Sequence, residues 1–135
     1  MSLDQPRIAA LLAGARHRDL GVLTEPEAMD LLEAAGVPVP RRVLLAGGAA
    51  AAALAAPPFP GGRAVLKVVA PAILHKTEAG GVAVIENAPA AIRAAVSEME
   101  RRFAGQPVDG YLLAEFVPHE AGPGHELLLG MRWTA

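Results

Sequence analysis

The chain has 135 residues, enough for one ordinary hydrophobic core and too few for two domains of average size. Much of its 53% hydrophobic content is alanine and only 4% of the residues are aromatic, so the core must come from Leu, Val, Ile and Ala. A net charge of -2 marks no nucleic-acid or acidic-lipid surface, and the lack of cysteine removes disulfides, thiolate metal sites and thiol catalysis.

Asp4, Gln5, Pro6 and Arg7 interrupt any early apolar run of the export-signal type. The alanine-rich stretch 47–56 is too short to span a bilayer. The expectation is therefore a soluble, cytoplasmic chain that binds neither nucleic acid nor membrane.

In chain order, residues 1–22 are expected to form a short helix over 6–17 followed by a linker. Thr24-Glu25-Pro26-Glu27 then opens a second helix: Thr24 caps, Pro26 suits the first turn, and Glu27 stands where a capping box needs an acid. Ala28, Leu31, Leu32 and Ala35 make its apolar face, and Gly36 with Pro38 ends it. Residues 41–46 read as a strand, and 47–56 as a helix on propensity alone. Prolines and glycines over 57–62 make a tight loop, with strands following at 64–69 and 81–86.

Ile92, Val96, Met99 and Phe103 recur at helical spacing, which predicts a helix over 89–103. Asp109-Gly110 is a turn between that helix and a strand over 111–117. A Pro/Gly-rich loop and a last strand over 126–131 complete a mixed α/β, or α+β, pattern.

Chemistry-bearing residues concentrate between 65 and 82. Lys67 lies in a strand flanked by Val65, Leu66, Val68 and Val69, so it must point to solvent or pair with an anion, and phosphate is one such anion. His75 follows Pro71 and Ile73-Leu74 on a loop. Imidazole offers an uncharged nitrogen nucleophile near neutral pH, although a lone histidine also serves as a surface or packing residue. No second histidine stands at zinc-ligand spacing.

Gly80-Gly81 can make a hairpin turn or present amide N–H groups to phosphate, and no Walker Lys-Ser/Thr follows it. Glu115-Phe116-Val117 ends an apolar strand ahead of Pro118, where free backbone groups can meet a purine edge. Glu115 and Glu126 are either solvated strand-end charges or acceptors for ribose hydroxyls.

Taken in order, four blocks resemble the ATP-grasp domain of the ADP-forming acyl-CoA synthetases of the acetate–CoA ligase type. They are Leu23-Thr24-Glu25-Pro26-Glu27-Ala28 through Ala35-Gly36-Val37-Pro38-Val39-Pro40; Val65-Leu66-Lys67; the run from Pro71 through His75-Lys76-Thr77-Glu78-Ala79-Gly80-Gly81-Val82; and Leu113-Ala114-Glu115-Phe116-Val117 through Gly124-His125-Glu126-Leu127-Leu128-Leu129-Gly130. The third block is the most specific of the four.

The resemblance implies that Lys67 contacts nucleotide phosphates and that Glu115, Phe116 and Val117 form the hinge around adenine. It gives Glu126 the ribose hydroxyls, His75 a part in phosphoryl transfer, and Gly80 and Gly81 the close approach of the loop to phosphate. It further implies ATP or ADP and Mg2+ as cofactors, and a CoA-binding α subunit or domain as partner. Residues 23–135 would then be the small amino-terminal lobe of an ATP-grasp domain, hinged near 115–118. The second lobe, with the Mg2+ ligands, would be missing, leaving the chain weakly active or inactive alone and prone to self-association. The alternative is a non-catalytic regulatory or scaffolding module of the same fold.

Overall fold

The computed structural model describes residues 3–18, 22–73, 75–120 and 122. Among them the elements run α1 (Gln5–His17), α2 (Glu25–Ala34), β1 (Arg42–Leu45), α3 (Gly48–Ala52), β2 (Arg63–Val69), β3 (Val82–Glu86), α4 (Pro89–Arg102) and β4 (Gly110–Glu115). The strands form one antiparallel sheet in the order β1-β4-β2-β3. The architecture is that of a mixed α/β fold.

Side chains alternate between the two faces of a strand, and the two faces here differ sharply. On one, Leu45, Ala64, Leu66, Val68, Tyr111 and Leu113 pack with Ile92, Val96, Met99 and Phe103. The last four are the periodic set read from the sequence, lying on α4 and its C-cap. Burying one Leu- or Ile-sized side chain is worth about 1.5–3 kcal/mol, so this layer carries most of the fold's stability. α3 lies beside α4, and the Glu100 carboxylate accepts the Gly48 N–H at 2.7 Å.

The opposite face carries the cross-strand row Leu44, Leu112, Lys67, Val82. Leu44 and Val84 stay 58% and 55% exposed there. α2 lies against this face, tied down where Arg42 donates to Asp30 and to Glu33, the latter at 3.3 Å. Hydrogen bonds from Arg7 and Arg42 hold the Glu33 carboxyl below its ordinary range. Burial alone would lower the Arg42 pKa, but its bonds to Asp30 and Glu33 raise it.

α1 has no buried residue and joins the rest through α2: Arg7 pairs with Glu33 at 3.0 Å, and the Asp4 N–H donates to the Ala34 carbonyl at 2.8 Å. The expected helix start at Thr24 is present. Glu27 reaches back to accept the Thr24 backbone N–H and hydroxyl, each at 2.8 Å.

Two element expectations need correction. The helix expected over 47–56 stops at Ala52, because Leu54 and Phe59 turn back into the core and Pro57 disfavours helical geometry at the residue before it. The strand expected over 111–117 begins one residue early and ends at Glu115. The strand expected over 126–131, with Glu126, lies outside the described residues. Among the described residues no helix is long and apolar enough to cross a membrane.

Candidate functional site

The β2–β3 connection is a folded loop. Ala79 N–H donates to the His75 carbonyl at 3.0 Å, Gly80 N–H to Thr77 at 3.1 Å, and Gly81 N–H to Lys76 at 2.6 Å. The two glycine amides that sequence reasoning offered to phosphate are therefore engaged within the loop. What the glycines supply is room. A Cβ on Gly81 would stand 2.5 Å from Val68 Cγ1, and Gly80 has φ +75° with the Arg102 guanidinium where its Cβ would go. Arg102 also donates to the Gly80 carbonyl at 2.9 Å, which fastens the loop to the last turn of α4.

This loop and β2 enclose an open cavity of about 550 Å3 lined by Glu25, Lys67, His75, Lys76, Thr77, Glu78 and Val82. The structure thus brings together Lys67 and His75, which the sequence singled out. It adds Glu25 and Lys76. Lys67 is not free: its Nζ lies 2.5 Å from Glu25 Oε1, with both side chains about one-third exposed (30% and 31%). Lys76 Nζ lies 3.9 Å from the other oxygen of the same carboxylate. His75 is exposed on the loop, and its imidazole has no hydrogen-bond partner among the described residues. Such a ring is accessible to a phosphoryl donor.

Glu115, Phe116 and Val117 do not line this cavity. Arg63, four residues before Lys67 and on the same face of β2, places its guanidinium 3.9 Å from the centre of the Phe116 ring. At ~3.3 Å per strand residue, Arg63 and Lys67 are ~13 Å apart along β2. The Glu115 carboxylate accepts the Arg41 N–H at 2.9 Å, its own N–H donates to the Arg41 carbonyl at 2.9 Å, and Phe116 N–H donates to Arg63 at 3.4 Å. Much of the supposed hinge is therefore committed to the sheet.

Sequence reasoning used Glu25 only as a helix-start acid and passed over Arg63. Period-two alternation back from Lys67 would have placed Arg63 on the same face. No local signal marks Glu25, because its partner is 42 residues away. Among the described residues no group of three or more His, Cys, Asp or Glu side chains could hold a metal ion.

Comparison with solved structures gives the same architecture. PH1788 from Pyrococcus horikoshii Ot3 superposes with a TM-score of 0.71 at 23% identity, over 85% of this chain and 50% of that one, a likeness of fold alone. ACD1 of Ca. Korarchaeum cryptofilum, solved with coenzyme A, gives 0.68 at 29% identity over 82% of this chain and 49% of that one. The dinucleotide forming acetyl-coenzyme A synthetase 1 of the same organism, solved with coenzyme A, Ca-AMPCP and HgCl+, gives 0.64 at 29% identity over 81% and 48%. The chain spans about half the length of these structures. Residues 14–134 match the model of the ATP-grasp domain, and the chain belongs to the ATP-grasp domain family.

Proposed function

We propose that this chain forms the nucleotide-binding small lobe of an ADP-forming acyl-CoA synthetase, in which His75 passes a phosphoryl group between a phosphorylated partner and ADP. The observation that carries the reading is the gathering of Lys67, Lys76 and an exposed His75, without a hydrogen-bond partner among the described residues, around one cavity on the Lys67 face of the sheet. Two cations suit a polyphosphate, and phosphoryl transfer is chiefly positioning and charge neutralisation. The ~13 Å run from Lys67 to Arg63 and Phe116 is commensurate with a nucleotide laid along β2, phosphates at the lysine and base toward the hinge. Similarity to an acetyl-coenzyme A synthetase at 29% identity supports the choice of acyl-CoA chemistry.

In this reading a neutral His75 nitrogen attacks the phosphorus of the donor. The bond from phosphorus to the donor's leaving group breaks as the P–N bond forms. A terminal phosphate oxygen of ADP then attacks the same phosphorus, the P–N bond breaks, and ATP leaves with the histidine neutral again. Lys67 and Lys76 hold the ADP phosphates and screen their repulsion toward the incoming group. Among the described residues no group of three or more carboxylates or imidazoles could hold Mg2+, which when bound would add to the neutralisation of the phosphates. The donor would come from a CoA-binding subunit or domain, and the rest of the nucleotide cleft from a second lobe.

Phosphoramidate, which phosphorylates accessible histidines, tests this directly. The treated chain should convert added ADP to ATP in a single turnover, read by luciferase. His75→Ala should abolish the product, and Lys67→Ala should weaken ADP binding tenfold or more. ATP formation that persists in His75→Ala, or no saturable ADP binding to the wild-type chain, would overturn the reading.

A further inference from the structure

One glutamate holds both lysines of the cavity. Oε1 of Glu25 faces Lys67 Nζ at 2.5 Å and Oε2 faces Lys76 Nζ at 3.9 Å, so a single carboxylate bridges two ammonium groups from different elements. A phosphate bound by these lysines would make the same bridge. We propose that Glu25 is a built-in anion that occupies the phosphate position between Lys67 and Lys76, and that the polyphosphate of a nucleoside di- or triphosphate binds by displacing it.

Charge makes the exchange necessary. The cavity is lined by two lysines and two glutamates, Glu25 and Glu78, so its charged side chains sum to zero with His75 neutral. A polyphosphate entering beside an undisplaced Glu25 would place like charges within a few ångströms of one another. With Glu25 swung outward, both ammonium groups are free for the ligand.

Local structure makes the exchange feasible. Glu25 is on the first turn of α2, its side chain is 31% exposed, and it can rotate into water without disturbing the backbone. The start of the helix is secured separately by Thr24 and Glu27. Displacement also severs a tie between α2 and the sheet, leaving those from Arg42 to Asp30 and Glu33. Phosphate binding is thereby transmitted to α2.

The identity of the ligand as a nucleotide rests on the function proposed above, whereas the competition with Glu25 requires only a polyphosphate. Titration of ADP and, separately, inorganic tripolyphosphate into the wild-type chain and Glu25→Gln separates the two. Glu25→Gln should bind both ligands roughly tenfold more tightly, the scale expected from removing one nearby like charge at partial exposure. In the wild-type chain, tripolyphosphate should shift the backbone amide resonances of residue 25 and residues 27–30, a readout independent of the variant.

Tighter tripolyphosphate binding by Glu25→Gln with no ADP binding to either chain would keep the competition and defeat the nucleotide reading. Equal ADP affinity in both chains would defeat the competition and leave the nucleotide reading intact. Weaker binding by Glu25→Gln would make Glu25 a ligand contact and overturn the proposal. No binding of either ligand to either chain would overturn both, as unshifted amides at 25 and 27–30 on saturation would overturn displacement.

Discussion

Replacing Gly81 by alanine adds one methyl group at a point of the site's scaffold crowded by buried side chains. The new Cβ would meet Val68 Cγ1 at 2.5 Å, the Lys76 carbonyl at 3.2 Å and the Phe103 ring at 3.3 Å. Ordinary carbon contacts lie at about 3.5–4.0 Å. Val68 is 0% exposed and Phe103 4%, so neither can yield toward solvent. The strain must fall on the loop through the Gly81–Lys76 bond, or on the β2–β3 pairing, where Val68 N–H donates to the Gly81 carbonyl at 2.8 Å. Overpacking of this kind costs about 1–3 kcal/mol.

Urea denaturation followed by circular dichroism should show a lower midpoint for Gly81→Ala with an unchanged slope. The melting temperature should fall by roughly 6–10 °C if the cost is about 2 kcal/mol. Gly61→Ala is the control, since nothing lies within 4 Å of a Cβ there. It should stay within about 0.5 kcal/mol of wild type. A Gly81→Ala chain as stable as the Gly61→Ala control would refute the argument that close packing requires the glycine.

Two further perturbations follow from buried and paired groups. Asn87 is 5% exposed and donates to the Phe59 and Gly61 carbonyls at 2.6 Å each, pinning the 57–62 loop to the end of β3. Asn87→Ala should therefore cost about 1–3 kcal/mol and speed proteolysis within that loop, both measurable on the purified chain. Burial alone would raise the Glu27 pKa, but bonds from the Thr24 N–H and hydroxyl and from Arg18 outweigh it and hold the carboxyl below 4.5. The folded chain thus takes up this proton less readily than the unfolded chain. The associated stability is present above 4.5 and is lost as pH falls through the folded value. Urea midpoints between pH 7 and pH 3 should drop less steeply in Glu27→Gln than in wild type.

The parts of the fold legible in the sequence are those set by local chemistry. Thr24 and Glu27 fixed the start of α2, and the spacing of Ile92, Val96, Met99 and Phe103 gave both the extent and the buried face of α4. The alanine run misled because propensity is weak beside tertiary demand. Leu54 and Phe59 take the chain into the core before the helix can lengthen.

At the site, the sequence showed that Lys67 must point to solvent or find an anion. The anion at hand is Glu25, from a helix that local reasoning had no cause to bring across the sheet. The diglycine was legible as a special turn. Its donors could not be assigned without seeing that Thr77 and Lys76 accept them.

The position of β4 has a consequence for how the chain assembles. It is the latest to be made of the four strands among the described residues, yet it separates β1 from β2 and pairs with both. Until Gly110–Glu115 is in place, β1 has no strand partner among the described residues, and Leu45, Leu66 and Val68 lack their full cover. The β2–β3 hairpin and α4 can condense early from nearby contacts, but closing the sheet requires bringing β1 and β4 together across the 64 residues between Leu45 and Gly110. Folding should therefore be limited by one late insertion event, with β1 waiting for β4 in a nascent chain whose loop carrying His75 is already tethered to α4.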